Sequence, residues 1–321
     1  MENENKKIVC FGGGNVVPKL IMQGLKKYPT IITGITSMVD NGGSTGQLRE
    51  DFNVLPSGDI RRHILALSDA PEWKKKLWQF RFGHEVFDGG HKGHSFANAF
   101  ICGTEDAVRD YEKVLEIVHE FMEVKGHQAL PATTDNVQLI AEAENGERIE
   151  GEDEIDVPQK HDPNLKIQKV FLEPEGKAFE GSLKAISEAD ALIFGPGDVY
   201  SSIIPCFLPL GMKEAIAESK AKKILISNAM TKLGETGGFS VSDFTSEIEK
   251  YIGTQLDYVI YDGRNVDSER LDNFKEENSE LLEIVKNDSD DERFIDADIL
   301  EDSGPIVYNS EKISKTIMSL I

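Results

Sequence analysis

Residues Lys6–Asp40 read KKIVCFGGGNVVPKLIMQGLKKYPTIITGITSMVD. Lys6–Phe11 is an apolar run of strand length that stops at three glycines. Across Val17–Tyr28, Leu20, Ile21 and Leu25 fall at helical spacing. Thr30–Val39 is rich in β-branched residues and short enough for a buried strand. A strand, a glycine turn, a helix and a second strand in that order begin a parallel sheet.

The pattern continues downstream. Ile60–Leu67, Trp73–Phe80, Phe96–Cys102 and Val108–Met122 carry apolar residues three and four apart, which predicts helices over one face of the sheet. Val137–Glu150 differs, because alternating apolar residues flank Asn145-Gly146, a strong hairpin signal. Residues from about 130 to 170 therefore read as a strand-rich insertion. Alternation then resumes, with short apolar runs at Ala191–Phe194, Lys223–Ser227 and Tyr258–Tyr261. Helical stretches near Ser182–Glu188, Pro209–Ser219 and Ser242–Tyr251 separate them. Short apolar runs between amphipathic segments predict a doubly wound, mostly parallel α/β sheet.

The bulk numbers narrow the function. A net charge of −22 argues against nucleic acid and against insertion at an anionic membrane surface, since both need clustered Lys and Arg. Much of the acid lies in Glu142–Asp156 and Glu276–Asp302, which read as solvated surface. Cys10, Cys102 and Cys206 are far apart and suggest neither a disulfide framework nor a zinc site. No signal-peptide core opens the chain, and no apolar run nears the roughly 20 residues that span a bilayer. The expectation is a cytoplasmic protein.

Glycine turns recur at the ends of predicted strands. Gly12-Gly13-Gly14-Asn15 could bring backbone amides to a phosphate or could be a tight turn, and the dinucleotide pattern G-x-G-x-x-G fails at Val17. Asp40 stands where an acid would reach a ribose hydroxyl, which keeps a dehydrogenase open. Asn41-Gly42-Gly43-Ser44-Thr45-Gly46 follows as a second glycine loop. Asp59 reads either as a helix cap or, with Asp40, as a carboxylate pair for a divalent cation such as Mg²⁺. Arg49, Arg61 and Arg62 could clamp phosphate or balance local acids, while Asp51 reads as surface. At Gly93-His94-Ser95 a helix begins, with Ser95 its cap and His94 directed to the crevice. His84, His91 and His94 lack zinc spacing. Gly195-Pro196-Gly197-Asp198 is a third glycine turn, followed by Tyr200; Asn228 ends the next strand, and GETGG starts at Gly234.

Seven stretches in order carry a family resemblance: FGGGN at Phe11, SMVDNGGSTGQLRE at Ser37, LPSGDIRRHILALS at Leu55, KGHSFANAF at Lys92, LPATTDNVQLIAE at Leu130, FGPGDVYSSIIP at Phe194 and ISNAMTKLGETGGFSVSDF at Ile226. The chain resembles the YvcK-type gluconeogenesis factors, which are related to 2-phospho-L-lactate transferase (CofD). The resemblance implies one Rossmann-like, three-layer domain over residues 1–321, loosening at about 264–321. It further implies a crevice for a nucleotide or nucleotide sugar, with UDP-N-acetylglucosamine the leading ligand. The role implied is a non-enzymatic regulator that supports cell-wall synthesis and shape on gluconeogenic carbon. The alternative is a transferase using a nucleoside-diphosphate-activated substrate and Mg²⁺.

Four departures stand out: Asn15 and Val16 follow Gly14 where the family has Thr-Gly, Asn41 replaces a second aspartate, Gly197-Asp198-Val199-Tyr200-Ser201-Ser202 replaces Gly-Ser-Leu-Tyr-Thr-Ser and adds an acid, and Tyr308-Asn309 replaces His-Asp. On this reading Gly12–Asn15 and Asn41–Gly43 with Ser44 supply phosphate contacts, and Asp40 and Asp59 contact ribose or metal. Arg62, His94, Ser95, Gly195, Pro196, Gly197, Tyr200 and Asn228 complete the expected ligand site. A homo-oligomer stays open.

Overall fold

The structure is a computed structural model and describes residues 5–83 and 93–321. His84, His91 and Lys92, named above, lie outside the described residues.

Twelve strands are present among the described residues: β1 (Lys6–Phe11), β2 (Thr30–Thr36), β3 (Gln128–Pro131), β4 (Gln138–Ala143), β5 (Arg148–Glu150), β6 (Ile167–Glu173), β7 (Ala191–Phe194), β8 (Lys222–Ile226), β9 (Met230–Lys232), β10 (Tyr258–Tyr261), β11 (Leu281–Ile284) and β12 (Phe294–Asp296). Seven pair in the order β12-β10-β8-β7-β1-β2-β3, every pair parallel. The chain thus runs outward from β1 to β3 and returns on the other side of β1 at β7. Where the order reverses, the loops leaving β1 and β7 diverge and open a crevice at the strands' carboxyl ends.

Strand alternation builds the three layers. In β1, Ile8 and Cys10 join one core with helices Gly58–Leu67, Phe96–Val108, Tyr111–Phe121 and Ser310–Leu320. Val9 and Phe11 join the other, with helices Glu180–Ser187, Met212–Glu218 and Val241–Ile252. Because both faces are covered, the strands are near-continuous apolar runs. Under the switch point Phe11 stacks on Phe194 at 5.2 Å, and Phe207 meets both rings edge-on at 5.4 Å. Burying each ring stabilises the fold by about 1.5–3 kcal/mol and pins the ends of β1 and β7 together.

The insertion is a separate antiparallel sheet, β5-β4-β6, with Asn145-Gly146 turning between β4 and β5 and Gly146 at φ +83°. It starts later than expected, since Leu130 and Pro131 belong to β3 at the edge of the main sheet.

Other boundaries also moved. Asn41–Gly46 is not a loop throughout: helix Gly43–Phe52 begins inside it. Val108–Met122 splits from its predecessor at Arg109, which takes φ +57°, and Asp110 caps the new helix by accepting the Lys113 N–H at 3.3 Å. Val17–Met22 winds in wide π-helical turns before the α-helical Gln23–Leu25. The unanticipated β9 and β11 form a small antiparallel pair, and β12 extends the main sheet.

Candidate functional site

A cleft of about 530 Å³ opens at the carboxyl end of the sheet. Gly14, from the turn after β1, lines it together with Asp40, Gly42 and Gly43 beyond β2. Asp59 and Arg62 enter from helix Gly58–Leu67, and Asp198 and Ser202 from the segment after β7. Three loops that are distant in sequence therefore converge because their strands are neighbours.

The two central carboxylates are seated by missing side chains. A Cβ on Gly13 would stand 1.9 Å from Asp59 Oδ2, and one on Gly58 would stand 2.1 Å from Asp40 Oδ2. Only glycine admits each acid. Asp59 Oδ1 accepts the Gly14 N–H at 2.9 Å and is paired with Arg62 Nη1 at 2.6 Å. Asp40 Oδ1 accepts the Gly42 N–H at 2.9 Å. Burial, and then the neighbouring Asp59 charge, push the Asp40 carboxyl above its usual range.

The two glycine loops differ in what they offer an anion. In the first, the Gly12 N–H reaches the Ile35 carbonyl at 3.3 Å, the Gly13 N–H reaches Ser202 Oγ at 2.9 Å, and Gly14 is held by Asp59. Those amides are already committed within the protein. Asn15 is exposed and lies outside the cleft lining. In the second, helix Gly43–Phe52 starts at Gly42 with no side-chain cap, so a first turn of amides meets the cleft. Asn41 faces the insertion, donating to Asp153 Oδ1 at 2.8 Å and accepting the Asp153 N–H at 3.0 Å. Ser44 Oγ lies 2.8 Å from His94 Nδ1 and accepts from Asn98 Nδ2 at 3.2 Å.

Several expected ligand residues have structural partners within the protein. Ser95 is buried and caps helix Phe96–Val108 through the Asn98 N–H at 3.1 Å. The Tyr200 ring is buried, and its N–H donates to Glu235 Oε2 at 2.7 Å. Asn228 bridges Gly197 in both directions, at 3.3 Å to its N–H and 2.9 Å to its carbonyl, and so shapes the Gly195-Pro196-Gly197 turn. Arg49 is consumed by Asn136 Oδ1 at 2.8 Å and the Val137 carbonyl at 2.9 Å, tying the second loop to the insertion.

The acidic run Glu142–Asp156, expected to be solvated surface, supplies part of the cleft wall. Helix Glu152–Asp156 follows β5 and places Glu152, Asp153 and Asp156 in the lining. Burial, then the charges of Asp40, Asp156 and Asp59, push the Glu152 carboxyl up to about 9. Nothing in the local sequence distinguishes these acids from surface acids. Their role depends on the hairpin folding back over the crevice.

A second group missed from sequence sits beside this wall. Lys232 Nζ contacts Asp156, lies 3.0 Å from Asp198 Oδ1 and is 3.6 Å from Glu235 Oε1. Burial disfavours the ammonium, but Glu235, Asp198 and Asp156 together hold it above its usual range. The same three acids offer oxygens within 4.8 Å of one another, a spacing suited to a metal. Lys232 already supplies the cation there. Asp40 and Asp59 are a second pair of hard-oxygen groups in the same cleft, with Arg62 the cation beside Asp59 and the Asp59 charge adding to the burial that raises Asp40.

The comparisons agree with this architecture. The family described as 2-phospho-L-lactate transferase CofD matches residues 8–300. A Clostridium acetobutylicum relative is 37% identical over 98% of this chain and 69% of its own length. A Halalkalibacterium halodurans relative, named a gluconeogenesis factor, is 31% identical over 98% of this chain and 96% of its own. The crystal structure of a UPF0052 family member from Bacillus halodurans superposes with a TM-score of 0.88 at 31% identity, covering 98% of this chain and 99% of that one. The parallel sheet with its switch-point cleft, the ordered motifs and these matches together make the chain a member of the CofD family, in its gluconeogenesis-factor group.

Proposed function

We propose that the cleft binds a nucleotide sugar of the UDP-sugar class, with UDP-N-acetylglucosamine the leading ligand. In this reading the protein is a cytoplasmic binding regulator that supports cell-wall synthesis and cell shape during gluconeogenic growth. The observation that carries the binding reading is the start of helix Gly43–Phe52, which has no side-chain cap from its N-cap residue and opens into one cleft with the Asp40 and Asp59 carboxylates. Helix amides suit phosphate oxygens, and carboxylates suit ribose hydroxyls or a cation. The acidic lining adds a condition. A diphosphate would meet Asp40, Asp59, Glu152 and Asp198, so it should enter with a divalent ion that screens both sides. Asp40 and Asp59 would hold that ion, whose chemistry is to neutralise the phosphate oxygens.

A second reading, favoured by the same carboxylate pair, is a transferase acting on a nucleoside-diphosphate-activated substrate with Mg²⁺. Metal-dependent turnover of a nucleotide-activated phospholactate with a deazaflavin acceptor would select it. A thermal-shift screen of nucleotides and nucleotide sugars, with and without Mg²⁺, tests the first. Ligand at a hundredfold over its Kd should stabilise the fold by about 2.7 kcal/mol. A shift confined to UDP-sugars supports the binding regulator, and a shift only with NAD(H) contradicts it.

A further inference from the structure

Arg62 lines two depressions, and the second has the opposite charge to the first. It is a groove of about 680 Å³ bordered by Lys19, Lys26, Arg61, Arg62, Lys75 and Arg81, against only Asp69 and Glu72. On a chain with a net charge of −22, such a concentration of cations runs against its surroundings.

Most of this charge is uncompensated. Lys26 is spent on Asp69 at 2.7 Å and on the Leu67 carbonyl at 2.7 Å, and Arg62 on Asp59. Among the described residues, Lys19, Arg61, Lys75 and Arg81 have no carboxylate within ion-pair distance. Arg61 is the most informative. Its backbone is fixed by the Trp78 indole N–H, which donates to its carbonyl at 2.9 Å, yet its own Nε is buried without a hydrogen-bond partner. Arg61, Arg62 and Arg81 line one groove, and guanidinium groups gathered this way favour an anion among them.

We propose that this groove is a metal-independent site for a phosphorylated small molecule bearing at least two negative charges, bound separately from the ligand of the acidic cleft. Guanidinium forks match phosphate oxygens bidentately, and several cations along one groove suit a ligand with more than one negative charge. The groove's bounded size favours a small ligand, and the strongly negative field of the rest of the chain repels a long polyanion. Its shared wall with the cleft at Arg62 places the two ligands side by side.

Isothermal titration of inorganic pyrophosphate in EDTA tests the site, using the wild-type chain and the Lys19→Gln/Lys75→Gln double variant. Lys19 is exposed, and the lysines' structural hydrogen bonds are backbone ones that glutamine keeps, so the variant should hold the wild-type Tm. Binding is expected without metal, weakening with added salt and falling roughly fivefold in the double variant. No binding in EDTA, or equal affinity in the folded double variant, overturns the proposal. So does binding that needs Mg²⁺ and disappears in Asp40→Asn, because the phosphate would then lie in the cleft. Retention on heparin without any response to pyrophosphate would make the groove a polyanion surface and overturn it too. Pyrophosphate carries neither base nor sugar, so failure of UDP-sugars to bind leaves this result intact.

Discussion

The Asp59 carboxylate occupies the space that a side chain on Gly13 would fill, with Oδ2 only 1.9 Å from the position of that missing Cβ. Gly13 does not take a positive φ, so its need for glycine is steric and is set chiefly by Asp59, with Ser202 Oγ next at 3.0 Å. Gly13→Ala should therefore cost about 1–3 kcal/mol through overpacking and should displace Asp59 from Arg62 and the Gly14 N–H. Denaturant unfolding of Gly13→Ala, Asp59→Ala and the double variant provides the check. Strong non-additivity, with the double variant close to Asp59→Ala, is the expected result. Simple additivity would separate the two residues.

Lys232 is the cation of a partly buried acidic cluster, its side chain 10% exposed and that of Glu235 fully covered, with Asp156 and Asp198 at the cleft edge. Lys232→Met leaves Asp156, Asp198 and Glu235 facing one another without a counter-charge. A loss of about 3–5 kcal/mol follows, because an unpaired buried charge is more costly than an absent pair. Adding Glu235→Gln should recover part of it. Ca²⁺ or Mg²⁺ should also raise the Tm of Lys232→Met more than that of the wild type, since three oxygens within 4.8 Å are then open to a metal. A Lys232→Met chain as stable as wild type would contradict the cluster's role.

Glu152 ties stability to pH. Its folded carboxyl is pushed up to about 9 from an ordinary 4.5 by burial and by the acids across the cleft. Between those values the folded chain holds a proton that the unfolded chain has lost. The stability linked to this group is complete below pH 4.5 and fades as pH rises through 9. Glu152→Gln should consequently raise the Tm, with an advantage near zero at pH 4.5 that grows toward pH 9. Melting curves across that range decide it, and an advantage that shrinks with rising pH would reverse the assigned sign.

The fold was largely legible because its signals are local. β1 and β2 announce themselves as apolar runs broken by glycine, and Asn145-Gly146 marks the hairpin without reference to anything distant. Asp40, Asp59 and Arg62 were legible for a related reason: each follows a strand or opens a helix, where a parallel sheet gathers its loops. The site's other wall was not. Glu152 and Asp156 look like any acids in a polar run until β4–β6 fold over the crevice. Lys232 gains its meaning from three acids scattered over 80 positions. Conversely, Tyr200 and Asn228 sit close to the predicted crevice in sequence, yet their backbone and side-chain bonds are spent on shaping the loops. Helix Gly43–Phe52 was hidden because Gly42, Gly43 and Gly46 read as loop, whereas an uncapped N-terminus tolerates glycine and Gly46 has an Asn41 carbonyl 2.0 Å from where its Cβ would be.

On the proposed reading a nucleotide sugar enters the acidic cleft with a divalent ion held at Asp40. Isothermal titration of UDP-N-acetylglucosamine, with Mg²⁺ or with EDTA, into the wild type and Asp40→Asn tests it most directly. Because the Asp40 carboxyl is already destabilised in its charged form, the amide should leave the fold intact. Binding in Mg²⁺, its loss in EDTA, and at least a roughly tenfold weakening in Asp40→Asn, about 1.4 kcal/mol, are predicted. Equal affinity in EDTA, or an Asp40→Asn chain that binds as tightly as wild type, would show that no ion at Asp40 carries the ligand.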